Sequence, residues 1–302
     1  MSVTIPHYCV PIGFNRRVKY DEAMTPLPTR LLGRTGVPVT LFGLGGEGIL
    51  RTHGEEVTAI GVINRALDQG VTYCDTAPAY ASSMDYYGAA LGERRKGIFL
   101  ASKTADRTRD GSLRILDATL KRLRTDQIDL WQLHDLREME ELDELFEEKT
   151  GAIHALMEAR ASKRVRYLGL TGHHDPAILL EAMRRFSFDT VLIPLNAADI
   201  HRDSFIKTVL PVARTSGMGV IGMKTCSQGA LLEDGTLSME EAIGYSLSLN
   251  GVCHVIIGCK SEAEVDDNAR IVRQFKPFEH AKLRELEART KAAHESFAYY
   301  KK

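Results

Sequence analysis

Eight short, nearly continuous runs of apolar and β-branched residues recur along this chain, near 40–44, 71–74, 98–102, 128–133, 166–171, 190–193, 219–223 and 254–257. Runs of this length predict strands buried on both faces. Between them, segments such as 55–69, 110–124, 138–161, 175–185, 202–216 and 238–248 repeat apolar residues at helical spacing. In the acidic stretch Glu138–Glu148, Met139, Leu142, Leu145 and Phe146 form the apolar stripe, which leaves the carboxylates on a solvated face. Buried strands alternating with amphipathic helices predict a parallel sheet covered by helices, and eight such units predict a closed (β/α)8 barrel, the TIM barrel.

Ahead of the first repeat, Leu31–Val39 reads as two short strands around a glycine-containing turn. Residues 1–28 carry several prolines and little periodicity, so an irregular extension is expected there, and 278–300 predicts a closing helical segment. No linker or low-complexity stretch interrupts 1–302, so a single domain is expected. A net charge of −1 gives no electrostatic footprint for nucleic acid or an anionic membrane. No apolar run approaches the ~18 residues that a membrane span needs. The N-terminus lacks the charged-then-apolar order of a signal peptide, so a cytoplasmic protein is expected. Five cysteines without a C-x-x-C spacing suggest reduced thiols rather than a disulfide framework.

Candidate chemistry lies at the strand ends. Val71–Cys74 delivers Asp75, followed five residues later by Tyr80; Ile98–Ser102 ends on Lys103; Ile128–Leu133 ends on His134. In a parallel barrel these ends converge on one rim, where active sites sit. Reducing a carbonyl by hydride leaves an alkoxide that needs a proton, which calls for a general acid within hydrogen-bond reach. A free tyrosine, with pKa near 10, suits that task poorly until an adjacent ammonium favours its phenolate. Lys103 would supply the ammonium, Asp75 would hold Lys103, and His134 would donate a second hydrogen bond to the substrate oxygen. The bland alternative is a buried Asp75–Lys103 pair beside an ordinary core tyrosine and histidine.

Two other patterns compete. Gly43-x-Gly45-x-x-Gly48 after a strand matches the dinucleotide fingerprint, with Asp75 available as its ribose-binding acid. That reading leaves Lys103 and His134 without a role, and residues 49–54 delay the helix that should open on the last glycine. His173-His174-Asp175 invites a metal reading, but neighbouring residues in a turn rarely point at one ion. Asp175 before Pro176 reads instead as a helix N-cap, so no metal is expected.

The stretches D-T-A-P-A-Y, F-L-A-S-K and I-D-L-W-Q-L-H resemble the Asp-Tyr-Lys-His tetrad motifs of the aldo-keto reductases, and the resemblance runs from about Arg30 to Phe278. It implies a hairpin at the barrel bottom and NADP(H) or NAD(H) as cofactor, with Gly45 and Gly46 bringing backbone close to the nicotinamide. Thr171 and Asn196 fall where the family holds the nicotinamide amide, although Gly172 replaces the usual asparagine. Met223 stands where an aromatic ring commonly stacks on the nicotinamide. Lys224, Ser227, Gly229 and Leu231 lie in a loop similar to the family's pyrophosphate cover. Gly258, Lys260, Ser261, Glu264, Asp267 and Asn268 lie in a segment similar to its adenosine-phosphate site. Glu264 replaces a common arginine, with Asp266 and Asp267 beside it, which opens the choice between NADP and NAD. R-Y-L-G-L-T-G-H-H and G-V-I-G-M-K-T resemble a bacterial branch, without the cysteine cluster of an added iron–sulfur module. The implied function is interconversion of a small carbonyl (aldehyde, ketone or sugar) and an alcohol. A cofactor-sensing interaction module on the same barrel and net isomerisation through a retained cofactor remain alternatives.

Overall fold

The computed structural model describes residues 25–233 and 235–301. The expected extension lies outside the described residues for 1–24, and residues 25–28 are irregular as anticipated. An antiparallel hairpin, β1 (Thr29–Leu31) and β2 (Pro38–Thr40), comes first. Eight parallel strands follow: β3 (Phe42–Gly48), β4 (Tyr73–Asp75), β5 (Phe99–Thr104), β6 (Ile128–Leu133), β7 (Val165–Thr171), β8 (Thr190–Pro194), β9 (Gly219–Met223) and β10 (Val252–Cys259). They pair in chain order, and β10 closes on β3, which makes a (β/α)8 barrel.

The helices are α1 (Glu56–Asp68), α2 (Ser83–Ala90), α3 (Arg109–Leu123), α4 (Met139–Leu145), α5 (Ala152–Ala161), α6 (Pro176–Arg185), α7 (Val209–Thr215), α8 (Ala230–Glu233), α9 (Met239–Ser248), α10 (Glu262–Gln274), α11 (His280–Thr290) and α12 (His294–Phe297). The helix expected over 138–161 divides into α4 and α5. Glu147 caps the amides of Lys149 and Thr150 there, and Gly151 packs so tightly that a Cβ would stand 2.3 Å from the Leu145 carbonyl. Met139, expected on the buried face, is 41% exposed. The helix expected over 202–216 is confined to α7, because Asp199 accepts from Ser204 Oγ and the Ile206 amide and holds an irregular loop before it.

Two apolar layers separate cleanly. Inside the barrel, Tyr73, Phe99, Leu130, Leu192 and Ile221 pack with Leu32 and Val39 from the hairpin. The hairpin therefore plugs the bottom, as the resemblance implied; Gly33 at φ +50° leaves no room for a Cβ beside the Met218–Gly219 backbone. Outside the barrel, the main core joins the strands to the helices and takes in Trp131. A third cluster, containing Leu231, Tyr245, Leu286 and Phe297, seats the C-terminal helices on the barrel. No helix among the described residues is long and apolar enough to cross a membrane.

Candidate active site

Three adjacent strands bring the proposed proton-handling residues to one rim. Asp75 ends β4, Lys103 is the penultimate residue of β5, and His134 directly follows β6. Tyr80 reaches the same place from the turn before α2. The Lys103 ammonium donates to Asp75 Oδ1 and, at 3.0 Å, to the Thr76 carbonyl. Both side chains of this pair are 1% exposed. The same ammonium lies 4.7 Å from the centroid of the Tyr80 ring, and the His134 ring meets that ring edge-on at 5.7 Å. Arg51 stands 5.2 Å over the Tyr80 ring as a second cation.

Charge within the cluster is set by burial first and neighbours second. Burial raises the Tyr80 phenol above its usual value; Lys103 pulls the other way, as the sequence suggested, but does not prevail. Burial also opposes charge on Lys103, yet Asp75 and Tyr80 reverse this and keep its pKa above the ordinary value. His134 is pushed down to about 3 by burial and then by Lys103, so its ring is neutral. Tyr80 thus carries its proton at neutral pH beside a charged lysine.

The glycines shape this rim through close packing. A Cβ on Gly46 would stand 2.7 Å from the Asp75 carbonyl and 2.9 Å from Tyr80 Cδ2, so its bare face gives the Tyr80 ring its seat. Gly45 faces the Ile257–Gly258 backbone, and Gly48 and Gly258 bring β3 and β10 into close approach. The dinucleotide fingerprint fails on this geometry: a 3-10 turn follows Gly48, and α1 opens only at Glu56.

The residues implied for the cofactor form an arc around the remaining rim. Thr171 ends β7 and Met223 ends β9. Lys224, Ser227 and Gln228 all have positive φ, from 51° to 55°, in one loop; such strain in non-glycine residues persists where the surroundings over-determine it. Leu231 has its side chain fully buried in the cluster beneath α11 and α12. Ser261 caps α10 by accepting from the Glu264 amide, and the Glu264 carboxylate accepts from the Lys260 amide at 2.7 Å. Asp266 is committed elsewhere, to Arg65 and Gln69, and Asp267 pairs with Arg270. Of the three acids expected to repel a phosphate, only Glu264 stands on the amides at this helix start. Asn268 is buried against Cys259.

One occupant of the arc has no signal in the sequence. The C-terminal segment crosses it: Ser227 Oγ donates to the Phe297 carbonyl, Tyr299 bonds Gln228, and Tyr300 accepts from Asn196 Nδ2 at 2.9 Å. Asn196 also donates to the Lys224 carbonyl and accepts from the Ala198 amide, so its amide is fully engaged. Lys301 anchors the segment through a buried pair with Asp199 at 2.5 Å and the Arg202 carbonyl at 2.7 Å. Gln132, whose amide lies 3.4 Å from Asp75 Oδ2, was also missed. Its register opposite Lys103 could have revealed it.

The sequence pattern of the Aldo/keto reductase family matches residues 41–241. An L-galactose dehydrogenase from Arabidopsis thaliana is 24% identical, with 88% of this chain and 95% of the relative covered. Among solved structures, the holo form of an aldo-keto reductase from Bacillus halodurans superposes with a TM-score of 0.74 at 22% identity, covering 87% of this chain and 96% of its own. An aldo-keto reductase from Klebsiella pneumoniae in complex with NADPH gives a TM-score of 0.71 at 19% identity, covering 89% and 96%.

Proposed function

Because the chain belongs to the aldo/keto reductase family, and is an oxidoreductase of that type, we propose that it interconverts a carbonyl and an alcohol with a nicotinamide cofactor, Tyr80 exchanging the proton. The observation that carries this is the Tyr80 phenol held between a buried, charged Lys103 and the neutral His134 ring. Nicotinamide, when bound, supplies or accepts the hydride. Tyr80 gives its proton to the developing alkoxide, and Lys103 stabilises the phenolate that remains. His134, neutral, donates a second hydrogen bond to the substrate oxygen. Asp75 keeps Lys103 charged and fixed; it never meets the substrate.

The raised pKa of Tyr80 favours the reducing direction at neutral pH, and reduction should fall as pH rises through the phenol's titration. For the cofactor, Lys224 offers a half-buried cation with no ion pair or side-chain hydrogen bond among the described residues; only the Tyr300 ring lies beneath it, at 5.2 Å. That suits a pyrophosphate. Asn196 suits the nicotinamide amide only once Tyr300 releases it. A polar rim of Arg51, His134 and Lys224, together with the likeness to a sugar dehydrogenase, favours a small polyhydroxy carbonyl as substrate.

The test is a screen of aldehydes, ketones and sugars with NADH and NADPH, repeated with Tyr80→Phe. Proton donation by a placed side chain contributes ~10²–10⁴-fold, so the variant should lose at least a hundredfold in turnover and keep its cofactor affinity. Retention of more than a tenth of turnover, with chemistry rate-limiting, removes Tyr80 from the role.

A further inference from the structure

Next to the tetrad, on the same rim, the fold assembles a donor set that neither the sequence nor the proposed reaction uses. Asp135 follows His134 after β6, and His173 and His174 follow β7, its parallel neighbour. The two loops are stitched together where the Leu136 amide donates to the Thr171 carbonyl at 3.0 Å. Gly172 permits this, since a Cβ there would stand 2.9 Å from the Leu136 carbonyl. The position where the family usually has asparagine is therefore the one that lets the histidines approach Asp135.

We propose that Asp135, His173 and His174 bind a divalent transition-metal ion of the zinc or cobalt kind. His173 Nδ1 lies 3.2 Å and His174 Nε2 3.4 Å from the same oxygen, Asp135 Oδ1. One ligand atom from each of the three residues falls within 4.8 Å of the others. Imidazole and carboxylate donors at about 2.0–2.1 Å from a tetrahedral centre stand about 3.3–3.4 Å apart, which is close to the spacing of each histidine nitrogen from Asp135 Oδ1. A simple histidine–carboxylate hydrogen bond accounts for the arrangement less well. Asp135 Oδ1 is buried and, with two ring nitrogens this close, still forms no aligned hydrogen bond.

The surroundings are those of a ligand held in place. Arg137 donates twice to Asp135 Oδ2, at 2.9 and 2.6 Å, which turns Oδ1 towards the rings. Arg107 donates to the main-chain carbonyls of His134 and Asp135, at 3.0 and 3.2 Å. Asp135 itself has φ +56°, a conformation that non-glycine residues adopt at a cost. Partners that orient a ligating carboxylate are worth roughly 10–100-fold in metal affinity. Three protein donors leave a fourth position for water or a substrate oxygen. The positive charges of Arg137, Arg107 and Lys224 oppose a dication, so micromolar rather than nanomolar affinity is expected. The sequence pointed away from this site because it offered Asp175 as the third donor. Asp175 caps α6 instead, accepting from the Ala177 amide at 2.8 Å.

The experiment uses the full chain, without a histidine tag and stripped by chelator. Zinc chloride is titrated by calorimetry and cobalt chloride by visible absorption, alongside Asp135→Asn, His173→Ala and Arg137→Gln. The expected result is one zinc per chain, intense ligand-field bands of tetrahedral cobalt, and a rise in Tm with zinc. Asp135→Asn and His173→Ala should each weaken binding more than a hundredfold, and Arg137→Gln about 10–100-fold. Circular dichroism establishes that each variant is folded. Lack of saturable binding by the wild type overturns the proposal, as does equal binding by folded Asp135→Asn. These readouts need no turnover, so they stand or fall independently of the reaction proposed above.

Discussion

Lys103→Met, Asp75→Asn and the double variant together test whether the buried pair is a coupled unit. With both side chains 1% exposed, removal of the ammonium leaves Asp75 with one hydrogen bond of 3.4 Å from Gln132. Removing one partner of a buried pair costs roughly 3–5 kcal/mol, a large share of the ~5–15 kcal/mol that holds most domains folded. Burial already pushes the Asp75 carboxyl up, and Lys103 is what restrains it. In Lys103→Met its folded pKa rises further above the unfolded value. The variant's stability deficit is therefore smallest in acid, where Asp75 is protonated in both states, and grows as pH rises through the folded pKa. Asp75→Asn leaves the buried ammonium with neutral acceptors only, the Thr76 carbonyl among them, and no countercharge, and should cost a similar amount. The double variant leaves neither charge of this pair. It should recover about 2–3 kcal/mol relative to the sum of the singles, within the range of measured couplings. Urea unfolding of all four proteins in mildly acidic and mildly alkaline buffer gives the cycle. Turnover should be lost in every variant, including the stabilised double. If the double loses as much stability as the two singles together, within about 0.5 kcal/mol, the pair is not coupled and the account of Lys103 is wrong.

Tyr300→Phe removes the hydroxyl that holds Asn196, a bond worth about 1 kcal/mol, so cofactor should bind roughly fivefold tighter; an unchanged dissociation constant by calorimetry would separate Asn196 from the cofactor. Glu264→Arg withdraws the carboxylate from the Lys260 amide and adds a cation. It should shift the NADPH-to-NADH affinity ratio about ten- to a hundredfold, and a ratio that stays fixed places the 2′ position elsewhere. His254 is buried inside the barrel, and burial holds its pKa at about 3. Unfolded imidazole protonates near 6.5, so stability should fall by on the order of 5 kcal/mol as pH drops between those values. His254→Leu should flatten that slope in urea titrations, and an identical slope would acquit this residue.

The pattern of buried runs was enough to read all eight barrel strands, because a strand covered on both faces leaves an apolar signature that needs no partner to be recognised. Helix limits were harder. The break between α4 and α5 depends on Gly151 meeting the Leu145 carbonyl, and the shortened α7 on Asp199 capturing Ser204, both tertiary events. The tetrad was legible because Asp75, Lys103 and His134 sit at or beside strand ends and Tyr80 follows the first of these by five residues. Asp135 was hidden as a partner of His173 by the 37 residues between them in sequence. Trp131 faces the helix layer while its neighbour Leu130 faces the barrel interior, since successive residues on a strand point to opposite faces.

Lys301 is 4% exposed and held by Asp199 and three backbone carbonyls, so the peptide bonds leading to it are shielded from an exopeptidase while the segment stays docked. Digestion at Lys301 and the residues before it proceeds from molecules in which the segment has lifted off. When closing is fast relative to cleavage, the rate of shortening follows the equilibrium population of open chains. Carboxypeptidase digestion at increasing NADH or NADPH would thus convert nucleotide entry into a count of trimmed molecules, measurable by mass without any knowledge of the substrate.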